Sequence, residues 1–146
     1  MRVEESVEIN RPVEEVFSYA SDPEHFPEWS GIILEAHKEK PGEPIAQGDR
    51  FTTVSKFLGR TFETPFEVTA HEHNRRHSHK SKGGPLVQEY TSTFEETAQG
   101  GTRFTQIVEG EPGGFFRLAG PLLERAGRRQ FRADLETLKD LLEAQG

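Results

Sequence analysis

Four histidines, His71, His73, His77 and His79, stand within one short stretch of a chain that has six. Imidazole is the commonest metal ligand and the side chain best suited to proton transfer near neutrality. Strand parity weighs one chemistry against the other. With Asn74-Arg75 as a two-residue turn, residue 72 opposes 77 and residue 70 opposes 79. His77 and His79 then share a face with Glu72 and Ala70, while His71 and His73 point the other way. A four-histidine cluster does not survive that geometry, and His77, His79 and Glu72 are left as a sparse three-ligand alternative. A loop of odd length would change the parity. No metal and no cofactor are expected, and His77 and His79 are carried forward as polar groups that line a pocket or stand wet at the open end of a sheet.

The second group lies near the carboxy terminus. At ~100° per residue, Glu124 falls within about 20° of Phe131 on a helix and Arg128 about 60° away. A carboxylate and a histidine facing one pocket can divide acid and base roles, which makes His77, His79 and Glu124 the catalytic candidates. The plainer reading of Glu124 and Arg128 is an exposed i,i+4 ion pair contributing a few tenths of a kcal/mol, and it is preferred. Arg117, Arg125, Arg128, Arg129 and Arg132 make a basic stretch in an acidic protein. Such a stretch steers an anionic ligand, touches a lipid surface, or is simply a solvated helix face. Phe115, Phe116, Leu118, Leu122 and Leu123 precede the regular apolar stripe and read as a lid or as packing at the helix entry. Trp29, the single tryptophan, reads first as core and second as part of a pocket mouth.

These groups need elements to hold them. Val3, Val7 and Ile9 alternate with polar residues as in a half-buried strand, with Glu5 interrupting the apolar face. Pro12 suits the first turn of a helix whose buried stripe is Val13, Val16, Phe17 and Ala20. Asp22-Pro23 starts a second short helix that runs to Trp29. A strand is expected over 32–37. Phe51, Thr53, Ser55 and Phe57 share one face of the next, and Phe62, Thr64, Phe66 and Val68 one face of its successor. With Leu58-Gly59 as the turn, Phe57 opposes Arg60, Ser55 opposes Phe62 and Thr53 opposes Thr64, so both sets lie on one side. Strands over 76–82, 86–96 and 102–109 follow, separated by Gly83-Gly84-Pro85 and Gly100-Gly101. By alternation Gln88, Tyr90, Ser92, Phe94, Phe104 and Gln106 face inward. The last segment is a helix on which Leu135, Leu138 and Leu142 continue the stripe of Phe131, while Gly127 and Glu124 make its first half small or charged.

Composition sets the bounds. The chain has 146 residues, enough for one domain over 1–146 with a real core. Its hydrophobic content of 32%, with 14 glycines, falls slightly below the globular norm and suggests a thin or partly polar interior. A net charge of −7 argues against nucleic acid, whose phosphates require a basic surface. The absence of cysteine excludes disulfides, thiolate nucleophiles and Cys-based zinc sites. No apolar h-region opens the chain and no run reaches the ~18 residues of a membrane span, so a cytoplasmic protein without integral membrane association is expected. Monomer and homodimer are both compatible with the residues.

Several phrases resemble one group of proteins. Ile9-Asn10-Arg11-Pro12-Val13-Glu14-Glu15-Val16-Phe17, then Asp22-Pro23 and Pro27-Glu28-Trp29, is similar to the opening of the SRPBCC, or START-like, superfamily. Gly48-Asp49-Arg50-Phe51, Phe66-Glu67-Val68-Thr69, Gly101-Thr102-Arg103 and Leu135-Glu136-Thr137-Leu138-Lys139 also resemble it, in order along nearly the whole chain. The resemblance, of polyketide cyclase/dehydrase-like type, implies an α+β helix-grip fold: a seven-stranded curved antiparallel sheet round a long carboxy-terminal helix, with two short helices after the first strand. It also implies an elongated cavity suited to a small hydrophobic or amphipathic molecule, and no single activity. The expected ligand-binding set is Trp29, Phe51, Phe62, Phe66, His77, His79, Tyr90, Ser92, Phe94, Phe104, Gln106, Glu124, Arg128 and Phe131. Three functions remain open: a binding protein for such a molecule, a cyclase- or dehydratase-type enzyme, and a module that docks its basic helix on a protein or lipid surface.

Overall fold

The structure, a computed structural model, describes residues 1–112 and 120–145. Strand β1 (Arg2–Ile9) leads to helix α1 (Val13–Ala20), and a 3-10 turn at Pro23–His25 runs on into α2 (Phe26–Trp29). Six strands follow: β2 (Ile33–Lys38), β3 (Arg50–Phe57), β4 (Arg60–Glu72), β5 (Arg76–Ser81), β6 (Leu86–Glu96) and β7 (Thr102–Pro112). Helix α3 (Gly120–Ala144) is the last element. The strands form one antiparallel sheet in the order β1-β7-β6-β5-β4-β3-β2, and α3 packs against β1. This is the expected helix-grip arrangement.

Short-range chemistry explains most of these boundaries. Glu14 and Glu15 sit in the first turn of α1, where carboxylates meet the positive end of the helix dipole, and Val16, Phe17 and Ala20 are buried on its inner face. Asp22 caps the 3-10 turn by accepting from the Glu24 N–H at 3.0 Å, and Pro23 follows where a missing N–H costs nothing. On α3, Leu135, Leu138 and Leu142 are all but inaccessible, each contributing about 1.5–3 kcal/mol by burial. They join Ile9, Phe17, Phe94 and Phe104 in one core.

The β3–β4 hairpin has the predicted register, with Phe57 opposite Arg60, Ser55 opposite Phe62 and Thr53 opposite Thr64. Its turn residues Leu58 and Gly59 have φ of 51° and 76°, the paired left-handed conformations of a type I′ turn.

The β4–β5 connection departs from the expected one. Glu72 pairs with Arg76, so residues 73–75 form a three-residue loop, with Asn74 at φ 58°. An irregularity between Val68 and Ala70 adds one unpaired residue, Thr69, to β4. His79 therefore lies opposite Val68, and His77 opposite His71. The two-residue turn at Asn74-Arg75 placed His71 on the opposite face from His77. The odd loop reverses that parity and brings His71 onto the inner face, where its ring lies 4.9 Å from that of Phe17.

A Cβ added to Gly59 would meet nothing within 4 Å. Gly59→Ala isolates the cost of a left-handed backbone from any packing effect and is expected to destabilise the protein by about 1 kcal/mol in denaturant unfolding.

Candidate functional site

The inner face of the sheet carries a polar lane that crosses five strands. His71 on β4 opposes His77 on β5, His77 opposes Ser92 on β6, Ser92 opposes Gln106 on β7, and Gln106 opposes Glu5 on β1. The lane is stitched by side chains. His71 Nδ1 lies 3.1 Å from His77 Nδ1, Gln106 Nε2 donates to Ser92 Oγ at 3.3 Å, and Glu5 accepts from Arg132 of α3 at 3.2 Å. Glu5, the interruption in the first strand's apolar pattern, thus ends this lane in an ion pair with the helix.

Alongside it runs a second lane, Val68, His79, Tyr90, Val108 and Val3. His79 Nδ1 lies 3.3 Å from His77 Nε2, which joins the two lanes. The His79 ring stacks on Tyr90 at 5.0 Å and 20°, with Phe66 and Phe51 edge-on at 4.8 and 5.0 Å.

Between this face and α3 lies a cavity of about 120 Å³, room for roughly four waters or one small ring. Phe26, Trp29, Phe57, Phe62, Phe66 and Phe131 supply its aromatic wall, and His79, Tyr90, Gln88, Gln106, Gln130 and Asp134 its polar groups. Trp29 borders this space with its Nε1–H buried and without a hydrogen-bond partner among the described residues.

Among the described residues Asp134 is the carboxylate at this cavity. It accepts from the Gly31 N–H at 2.9 Å, from Gln130 Nε2 at 2.7 Å and from Ser30 Oγ at 3.4 Å. Burial raises its pKa, and those three donors oppose the rise by stabilising the charge. The bonds from Gly31 and Ser30 tie α3 to the end of α2, where a Cβ on Gly31 would require the Gln130 side chain to shift.

Burial also governs the imidazoles. The His77 pKa is pushed down to about 3, first by desolvation and then by neighbouring His71. That of His79 is lowered well below the ordinary value by desolvation and by His77. His71, half-buried, is lowered by desolvation and by His73, while Asp22 and Asp49 pull the other way. Burial and Asp134 raise the Tyr90 phenol. At neutral pH His77 and His79 are uncharged donor–acceptor groups.

The structure sorts the expected site residues. Trp29, Phe62, Phe66, His79, Tyr90, Gln106 and Phe131 border the cavity. Phe51, Phe94 and Phe104 lie in the core, Ser92 is held by Gln106, and His77 stands behind His79. Glu124 and Arg128 are exposed and paired with each other at 3.2 Å, the preferred reading, so Glu124 does not join the histidines. Glu72 pairs with Arg75 at 3.0 Å instead of facing His77 and His79. Among the described residues no group of three or more potential ligands could hold a metal ion. Leu123 is buried at the cavity wall while Leu122 is 61% exposed. Phe115, Phe116, Arg117 and Leu118 lie outside the described residues.

Asp134 and Gln130 were not among the expected residues. At ~100° per residue Asp134 falls about 60° from Phe131, within the helix stripe, so an acidic residue inside an apolar pattern was the available signal.

The comparisons agree with this architecture. The family model described as polyketide cyclase / dehydrase and lipid transport matches residues 1–143. The chain belongs to that family. No curated protein matches it. Among solved structures, a protein from Thermus thermophilus is 19% identical with a TM-score of 0.83, over 100% of this chain and 99% of that one. A START superfamily protein from Mycobacterium smegmatis is also 19% identical, with a TM-score of 0.71 over 99% and 95% of the two chains. The di-domain ARO/CYC BexL of the BE-7585A biosynthetic pathway is 15% identical with a TM-score of 0.74, over 98% of this chain and 46% of that one. At these identities the likeness is one of fold. Of the histidines on the inner face, His79 lines the cavity, with His77 and His71 in line behind it.

The buried histidines set a pH response. Below about pH 6.5 the unfolded chain binds protons that the folded imidazoles refuse, so stability rises with pH across that range and is lost as pH falls. With the His77 pKa at about 3, the loss extends from about pH 6.5 down to about pH 3, at up to about 1.4 kcal/mol per pH unit for each such imidazole. Denaturant unfolding between about pH 7 and about pH 4 is expected to show this slope, and His77→Gln to flatten it.

Proposed function

We infer that the protein binds a small hydrophobic or amphipathic molecule in the cavity between the sheet and α3. The observation that carries the reading is the mixed lining: an aromatic wall with Tyr90, His79, Gln106 and Asp134 at its polar points. Ligand sites are characteristically concave and mostly apolar, with a few convergent polar groups that orient the bound molecule. A volume near 120 Å³ favours a single ring or a short chain over a long lipid. The apolar part of the ligand would lie against Phe62, Phe66 and Phe131, and its polar part would reach Tyr90 or His79. The family, whose description pairs cyclase and dehydrase activity with lipid transport, supports the same reading.

A cyclase- or dehydratase-type activity is a second reading, favoured by His79, Tyr90 and Asp134 standing at one cavity. In it His79, with Tyr90 or Asp134, takes the acid–base role for which Glu124 was a candidate.

Gly127 gives a direct test of binding. It faces the cavity from α3, and a Cβ there would meet nothing within 4 Å. Gly127→Leu removes a poor helix former, a gain of up to about 1 kcal/mol, while filling the space. Small aromatic ligands are expected to shift Trp29 emission and raise the melting temperature of the wild type. In Gly127→Leu the protein should stay folded and both responses should vanish. Equal responses in the two proteins would place the ligand elsewhere.

A further inference from the structure

Three imidazoles form a line from the β4–β5 hairpin to the cavity, through the contacts His71 Nδ1···His77 Nδ1 at 3.1 Å and His77 Nε2···His79 Nδ1 at 3.3 Å. The central ring is 2% exposed, and both of its nitrogens are engaged. His71 at the outer end is half-buried, beside exposed His73. His79 at the inner end borders the cavity, and its Nε2 is the ring nitrogen with no hydrogen bond among the described residues.

A neutral imidazole has one N–H and one lone pair. Two hydrogen bonds that share His77 therefore admit two proton orders. In the first, His79 Nδ1–H donates to His77 Nε2 and His77 Nδ1–H donates to His71 Nδ1. His79 then keeps a lone pair on Nε2, the nitrogen not turned to His77, and His71 carries its proton on Nε2. In the second order every bond is reversed, and His79 presents Nε2–H instead.

We propose that His71, His77 and His79 are a proton relay, through which a cavity occupant bearing a phenolic or enolic hydroxyl exchanges its proton with water at the β4–β5 hairpin. The transfer balances without any other reactant. The occupant's O–H bond breaks and its proton forms a bond to His79 Nε2. The proton on His79 Nδ1 passes to His77 Nε2, that on His77 Nδ1 passes to His71 Nδ1, and His71 Nε2–H gives its proton to water. The occupant is left as its oxyanion, and the first order has become the second. Returning a proton from His79 Nε2 reverses every step, with water resupplying His71. An enol that loses its proton at oxygen and regains one at carbon thus leaves the chain in its starting order. Passing protons along in this way keeps a full positive charge off His77 and His79, whose burial disfavours it.

The relay's inner end rests on the cavity reading, but the line of rings can be tested without a ligand. In 15N-labelled full-length protein, NMR measures solvent exchange of the ring N–H protons of His77 and His79. His71→Gln retains a hydrogen-bonding group beside His77 that does not hand a proton on, and His73→Ala serves as the control outside the line. Exchange is expected to slow on the order of tenfold in His71→Gln and to be unchanged in His73→Ala. Equal rates in His71→Gln and wild type would overturn the relay. So would a wild-type proton order in which His77 and His79 turn lone pairs towards each other. A second arm uses phenol and its methyl ether, anisole. Phenol should set the first proton order in all three rings, and anisole should not. A change at His79 that leaves His71 unmoved contradicts the relay. If neither compound binds, the cavity reading fails, and the exchange rates still decide the relay.

Discussion

An imidazole removed from water must give up its charge and find a use for both ring nitrogens, and this requirement organises the inner face of the sheet. A buried polar group left unpaired costs roughly 1–3 kcal/mol. His77 meets the condition by standing between two other histidines, each within 3.3 Å of one of its nitrogens. Its neighbours are then constrained in turn. His71 must come to the inner face, and His79 must turn one nitrogen back towards His77 and the other away.

The backbone supplies that geometry through two local irregularities on the same hairpin. The odd loop at 73–75 and the extra residue near Thr69 restore pairing in β4 while shifting its parity. Without the odd loop His71 would face outward, and the line of rings would end at His77. The pleat then carries the pattern onwards, so that Ser92, Gln106 and Glu5 extend the polar lane to the ion pair with Arg132 on α3. The helix answers with its own division: Leu135, Leu138 and Leu142 close the core, while Gly127, Phe131 and Asp134 face space.

Much of this was legible in the residues. Alternation in Phe51-Thr52-Thr53-Val54-Ser55 and in Phe62-Glu63-Thr64-Pro65-Phe66, with a turn that demands left-handed backbone, specifies one register, and the structure has it. Glycine and proline punctuation located the later strands. The parity of the histidines was not legible, because His73-Asn74-Arg75 and Asn74-Arg75 are equally good turns in composition and differ only in which face they deliver. Asp134 was hidden for another reason: an acidic residue on an amphipathic helix reads as solvent-facing unless its donors are known, and two of its three, Gly31 and Ser30, lie more than a hundred residues away in the chain. Long-range satisfaction of polar groups leaves little trace in local spacing.

The fold thus couples an aromatic-walled space to a line of neutral histidines, and an occupant with a hydroxyl would complete the unpaired end of that line. The most direct measurement is a crystal structure of the protein soaked with 4-bromophenol, with bromine located by anomalous scattering. The account predicts one bromine between Trp29, Phe66 and Phe131, with the phenol oxygen in hydrogen-bond contact with His79 Nε2. Bromine confined to the outer surface, with the space behind α3 filled by side chains, would contradict it.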